Sequence, residues 1–234
     1  MPLRSEVEFG SLLAYTPRDQ TPDGRRAWKF VVDLKRDAAR SGDGTTAMFV
    51  AQRLREELDK EAIALASMFD GSWIAVPVPR SSPTRDGALW PAERIATALR
   101  GAGLVRSTQR ILRRAQAVAK SATAESKDRP SAAAHYSSMR ITLDANSERP
   151  SESPLGELVR TELGPRPKLL LVDDVITRGA TMLAASSVLL DAIPDASVIA
   201  FAVVRTNSDF SEASLLSPRR GWVRLRGEAT FRRP

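Results

Sequence analysis

The sequence predicts an α/β fold, with a mostly parallel central sheet flanked by helices. Three observations carry this. Residues 73–76, 168–172 and 197–204 are short, almost wholly apolar runs, the pattern of strands buried on both faces. Segments with apolar residues at helical spacing lie between and before them. The chain has 234 residues, 42% of them hydrophobic and 27% charged, enough for a substantial core and the length of one α/β unit with an extension.

The elements follow in order. Residues 9–15 are a short apolar stretch, read as a strand, and 16–24 a loop with two prolines. Residues 25–39 place Ala27, Phe30, Val31, Leu34 and Ala38 at helical spacing until Ser41-Gly-Asp-Gly breaks it, and 45–69 repeat the pattern with Phe49, Leu54, Leu58, Ile63 and Met68. The strand at 73–76 ends at Pro77 and Pro79, and a polar, basic loop follows over 80–87. Pro91 suits the first turn of a helix over 91–100, which Gly101 and Gly103 stop. Residues 115–138, rich in Ala, Ser, Lys and Asp, read as mobile, and 146–153 as a polar break. A helix is expected over 156–161, a strand over 168–172, a helix over 181–192 and a strand over 197–204. The organisation expected is an N-terminal helical segment (1–70) packed on a core (71–205), then a basic C-terminal extension (206–234).

Composition excludes several chemistries. With no Cys there are no disulfides, thiolate zinc sites, iron–sulfur clusters or Cys nucleophiles, and one His rules out a multi-His centre. No apolar run approaches the roughly 20 residues that span a bilayer. The N-terminus shows no secretory h-region, so a cytoplasmic protein without a membrane partner is expected. Net charge is +7, and residues 218–234 hold six Arg against Glu228 alone. That end either binds nucleic acid or an acidic partner, or is simply solvated.

The chemistry concentrates in residues 169–182. A buried strand delivers Asp173 and Asp174 to its C-terminal end, where parallel sheets bind ligands. Adjacent acids there are costly unless they meet a cation or hydroxyl donors. Thr177-Arg-Gly-Ala-Thr181 and a helix come next. Gly179 permits a tight turn, and the exposed N–H groups and two Thr hydroxyls can surround an anion at a helix start. A ribose 5-phosphate fits both halves. A phospho-receiver domain also places acids at strand ends, but nearer the N-terminus and without the Thr-x-Gly-x-Thr.

The string resembles the signature of type I phosphoribosyltransferases, which bind 5-phosphoribosyl 1-pyrophosphate (PRPP). The resemblance implies that family's fold, with a small hood and a flexible loop. It gives Asp173 and Asp174 to the ribose hydroxyls, and Thr177, Arg178, Gly179, Ala180 and Thr181 to the 5-phosphate. Arg178 departs from the family, which usually has a small or polar residue there; it either adds charge to the phosphate or faces solvent. Val76-Pro-Val-Pro-Arg80 and its basic loop resemble the ComF-like competence branch, which makes Arg80 and Arg85 the candidates for pyrophosphate, or else solvated charges. Residues 30–35, ending in Leu34-Lys35, resemble that branch's N-terminal helix and Lys. Residues 111–139 stand where the family has its loop, with Lys120, Arg129, His135 and Tyr136 as contributors. Lys120 would meet charge developing on pyrophosphate or lie in solvent, and His135 is a structural histidine or a base. The Cys-based zinc module common in that branch is excluded here.

The resemblance further implies transfer of a 5-phosphoribosyl group to a nucleobase or related nitrogen nucleophile, with Asp173, Asp174 and Lys120 as the catalytic set. Mg²⁺ would be carried mainly by pyrophosphate. The alternative is a PRPP-binding module with little turnover, acting in DNA uptake, processing or regulation. Partners expected are PRPP and an acceptor the sequence does not specify, with nucleic acid at the Arg-rich end; a homodimer is left open.

Overall fold

The computed structural model describes residues 3–17, 19–40, 42, 44–60, 64–84, 87–119, 130–142, 163–207 and 215–233. Its centre is a seven-stranded sheet built from β1 (Glu6–Tyr15), β2 (Ile74–Pro77), β3 (Ser107–Thr108), β6 (Lys168–Ile176), β7 (Ser197–Thr206), β8 (Leu216–Arg226) and β9 (Ala229–Arg233). The order is β3-β2-β6-β7-β1-β8-β9. Strands β3, β2, β6, β7 and β1 run parallel, and β8 and β9 are antiparallel additions. A separate antiparallel ribbon pairs β4 (Leu112–Arg114) with β5 (Met139–Ile141).

Alternation in β6 explains the layers. Leu170 and Val172 join one core with Leu34, Leu54, Ile95, Leu99 and Phe201; Leu169 and Leu171 join the other with Met182, Leu183, Leu189 and Val223. Helices α1 (Pro22–Arg36), α2 (Thr46–Leu58) and α3 (Pro91–Gly101) supply the first layer. Helices α4 (Ala132–Ser137) and α5 (Ala180–Ala192) supply the second. Thr21 caps α1 by accepting from the Gly24 N–H at 3.0 Å, with Pro22 in its first turn. Among the described residues no helix is long and apolar enough to cross a membrane.

Several elements depart from the sequence reading. Residues 6–15 do not pack on the core from outside: β1 lies inside the sheet between β7 and β8, because Leu12, Leu13 and Ala14 are buried. The helical pattern over 45–69 divides into α2, ending before Asp59, and a short 3₁₀ turn at Ala66–Met68. Residues 131–138, expected as mobile, hold α4, and β5 follows directly. Ser131 caps α4, and Ala132 and His135 are buried in it. The helix expected over 156–161 lies outside the described residues.

The Arg-rich end is the largest difference. It is two strands of the central sheet. Arg220 donates to Glu8 and to Ser67, Arg224 donates to Glu6 at 2.9 Å, and Arg232 donates to the Thr206 carbonyl. Cross-strand partners at Glu6 and Glu8 of β1 therefore turn charged residues into strand residues. A chain truncated before Leu216 loses β8 and β9 and uncovers β1. It is expected to lose its cooperative melting transition in circular dichroism. Arg226→Gln, at an exposed position, should leave that transition within about 1 kcal/mol of wild type.

Candidate functional site

The C-terminal ends of β2 and β6 open into one cavity of about 420 Å³. Its floor is the acid pair. Strand β6 continues to Ile176, so Asp173 and Asp174 lie within the strand. Asp173 Oδ1 accepts from the Asp174 N–H at 2.9 Å, and Asp174 Oδ1 accepts from the Val175 N–H at 2.9 Å. Backbone donors thereby orient both carboxylates. Burial, and then the charge of Asp174, hold the Asp173 carboxyl well above the usual carboxylate range, while the Lys35 ammonium acts in the opposite sense.

The start of α5 forms a second wall. Gly179 is its N-cap with φ +89°, a conformation that favours glycine, and no side chain caps the helix. The first amide returning a bond to Gly179 is that of Leu183, at 3.0 Å, so the Ala180, Thr181 and Met182 amides have no intrahelical partner. Gly179, Ala180, Thr181, Met182 and Thr177 line the cavity. Unpaired amides and the helix dipole make this an anion cradle beside the acid pair. Opposite stand Val78, Pro79, Arg80, Leu89 and Trp90. The Trp90 Nε1–H donates to the Val78 carbonyl at 2.8 Å, which ties the head of α3 to the end of β2.

Of the residues expected from sequence, the structure brings together Asp173, Asp174, Thr177, Gly179, Ala180, Thr181 and Arg80 in this cavity. Arg80 donates to the Leu89 carbonyl at 3.0 Å. Arg178 does not line it; this exposed side chain borders an adjacent cleft with Thr177, Glu228 and Thr230. Tyr136 is engaged elsewhere, donating to Asp191 at 2.6 Å. Arg85, Lys120 and Arg129 lie outside the described residues. Lys35, at the end of α1, reaches the cavity.

Arg114 is the cation that sequence reasoning missed. It is only 4% exposed, yet lines the cavity. Its Nε donates to the Arg80 carbonyl at 2.9 Å, and Nη1 donates to Ser138 Oγ at 2.6 Å and to the His135 carbonyl at 3.3 Å. These acceptors are neutral. Burial lowers its pKa to about 10, with the Asp173 charge opposing. A buried guanidinium held by neutral groups is an incentive for an anion to enter. Its only sequence signal is an arginine next to the apolar pair Ile111-Leu112, which Arg113 shares equally.

His135 is 2% exposed and lines the cavity beside Arg114. Burial, and then the Arg114 charge, push its pKa from 6.5 to about 4. The unfolded chain thus takes up a proton near pH 6.5 and the folded protein only near pH 4. Stability from the neutral ring is present above that window and is lost as pH falls through it. Relative to His135→Gln, wild type is expected to lose about 2–3 kcal/mol between pH 7 and about pH 4.5, read by urea denaturation.

Among the described residues no group of three or more His, Cys, Asp or Glu converges on a metal position. Set beside known proteins, the chain matches no family model and no curated relative.

Proposed function

We propose that this chain binds PRPP and transfers its 5-phosphoribosyl group to a nitrogen nucleophile, releasing pyrophosphate, with a fold of the type I phosphoribosyltransferase kind. One observation carries the reading: the acid pair of β6, the open amides of α5 and the cations Lys35, Arg80 and Arg114 all line a single cavity. A ligand with two adjacent hydroxyls between two anionic ends matches that order of groups.

In this reading the second oxygens of Asp173 and Asp174 accept from the ribose hydroxyls, and the α5 amides with Thr177 and Thr181 donate to the 5-phosphate. Arg80 and Arg114, neighbours in the cavity lining joined by a bond from Arg114 Nε to the Arg80 carbonyl, are assigned to the pyrophosphate. The acceptor nitrogen forms a bond to C1 as the C1–oxygen bond breaks. Pyrophosphate leaves with the electron pair, and the nitrogen's proton passes to solvent. The carbohydrate passes through an oxocarbenium-like state, so placement and leaving-group charge supply the catalysis and no protein nucleophile is needed. A Mg²⁺ ion carried on pyrophosphate would further neutralise that charge when bound. The apolar Leu89 and Trp90 wall would receive a flat acceptor.

PRPP with Mg²⁺ is expected to stabilise the protein by about 2.7 kcal/mol at a hundred times Kd, seen as a rise in Tm. Incubation with a panel of nucleobases is expected to release pyrophosphate with at least one. A Tm rise with no release would leave a binding module; neither effect at millimolar PRPP would refute the proposal.

A further inference from the structure

The only histidine of the chain packs where the anion cradle meets the buried arginine. His135 Nδ1 lies 3.5 Å from Arg114 Nη1, and His135 Nε2 lies 3.3 Å from Thr181 Oγ1. The direction of each proton follows from chemistry. A guanidinium only donates, so a proton on Nδ1 would oppose it donor against donor. The neutral ring therefore carries its proton on Nε2, aimed at Thr181 Oγ1, which accepts. The Thr181 hydroxyl proton is then turned away from the ring, and Thr181 lines the cavity beside the unpaired α5 amides. Arg114 cannot turn to relieve this arrangement. Its Nε is bound to the Arg80 carbonyl. The Ser138 hydroxyl donates to the His135 carbonyl at 2.8 Å and so only accepts from Arg114. The order runs from a fixed cation through one ring to one hydroxyl.

We propose that His135 is a positioning residue: with its tautomer set by Arg114, it holds the Thr181 hydroxyl as a donor, so that the start of α5 presents only donors and receives a phosphate group. That the phosphate is the 5-phosphate of PRPP rests on the function proposed above; the donor arrangement does not.

The test uses the intact chain, in which imidazole ¹⁵N and ¹H resonances report His135 alone. At neutral pH the spectrum is expected to show the proton on Nε2 and none on Nδ1. Inorganic phosphate and ribose 5-phosphate should each shift the Nε2 signal, and Thr181→Val should abolish that response. His135→Gln, which keeps an N–H near the Nε2 position, should hold ribose 5-phosphate within about threefold of wild type, and His135→Leu should weaken it about tenfold. A proton on Nδ1, or on both nitrogens, overturns the inference using wild-type protein alone, whatever the variants do. So does an Nε2 signal indifferent to inorganic phosphate, or equal binding by the Gln and Leu variants. If inorganic phosphate moves the signal while PRPP fails to bind, the phosphoribosyl reading falls and this inference stands.

Discussion

Asp173→Asn is expected to melt above wild type at about pH 8 without ligand, and to lose all stabilisation by PRPP with Mg²⁺. The two effects have one cause. Burial disfavours the ionised Asp173, and the neighbouring Asp174 charge adds to that. The folded protein therefore binds a proton more tightly than the unfolded chain does, whose carboxyl titrates near 3.8. Between that value and the raised folded one, stability falls as pH rises. Asn removes the charge and keeps the shape. A gain of about 1 kcal/mol corresponds to about 2–4 °C in a chain of this size. Asn also brings an amide where the proposed function needs a carboxylate to accept from a sugar hydroxyl, so the ligand-induced rise should vanish. Asp174→Asn should likewise lose the rise, since it removes the second acceptor. An unchanged ligand response in both variants would place the ligand elsewhere, and an unstabilised Asp173→Asn would mean that the ionised Asp173 carries no net cost in the fold.

Gly179→Val is expected to destabilise by about 2–6 kcal/mol, a large part of a typical folding free energy. Two costs combine. The residue has φ +89°, which a β-branched side chain resists by about 1–3 kcal/mol. A Cβ there would stand 2.4 and 2.6 Å from the two Val223 methyl carbons, adding about 1–3 kcal/mol of overpacking. Val223 is in β8, so the Arg-rich end of the chain buttresses the cradle from behind. In a cycle of Gly179→Ala with Val223→Ala, measured by chemical denaturation, the double variant should be more stable than the sum of the singles predicts by about 1 kcal/mol or more. The φ cost remains, so rescue is incomplete. Strict additivity would mean that β8 does not press on the turn.

The same buttress shows why some of the fold was legible and some was not. Strand β6 and helix α5 announce themselves because residues 168–172 are nearly all apolar and a glycine separates them from the next helical pattern. Their information is local. Strand β8 looks like a solvated tail because its apolar positions, Val223 and Leu225, alternate with arginines whose partners Glu6 and Glu8 lie about two hundred residues earlier. Strand β1 reads as peripheral for the same reason, since its neighbours β7 and β8 come from the far end of the chain. In the site, Asp173, Asp174 and the turn after them are contiguous and can be read together. Arg114 cannot be told from Arg113 until pairing of β4 with β5 turns one of them inward. His135 stands among Ala and Ser, a composition that suggests loop. Those small residues let α4 pack closely, with Ala132 fully buried in the same apolar cluster as Met182 and Leu183 of α5.

The most direct measurement of the central claim is a calorimetric titration of PRPP with Mg²⁺ into wild type and Asp174→Asn. Saturable binding at one site per chain is predicted for wild type, with loss of that binding in the variant. No heat with wild type at millimolar PRPP, or the same isotherm for both proteins, would contradict it.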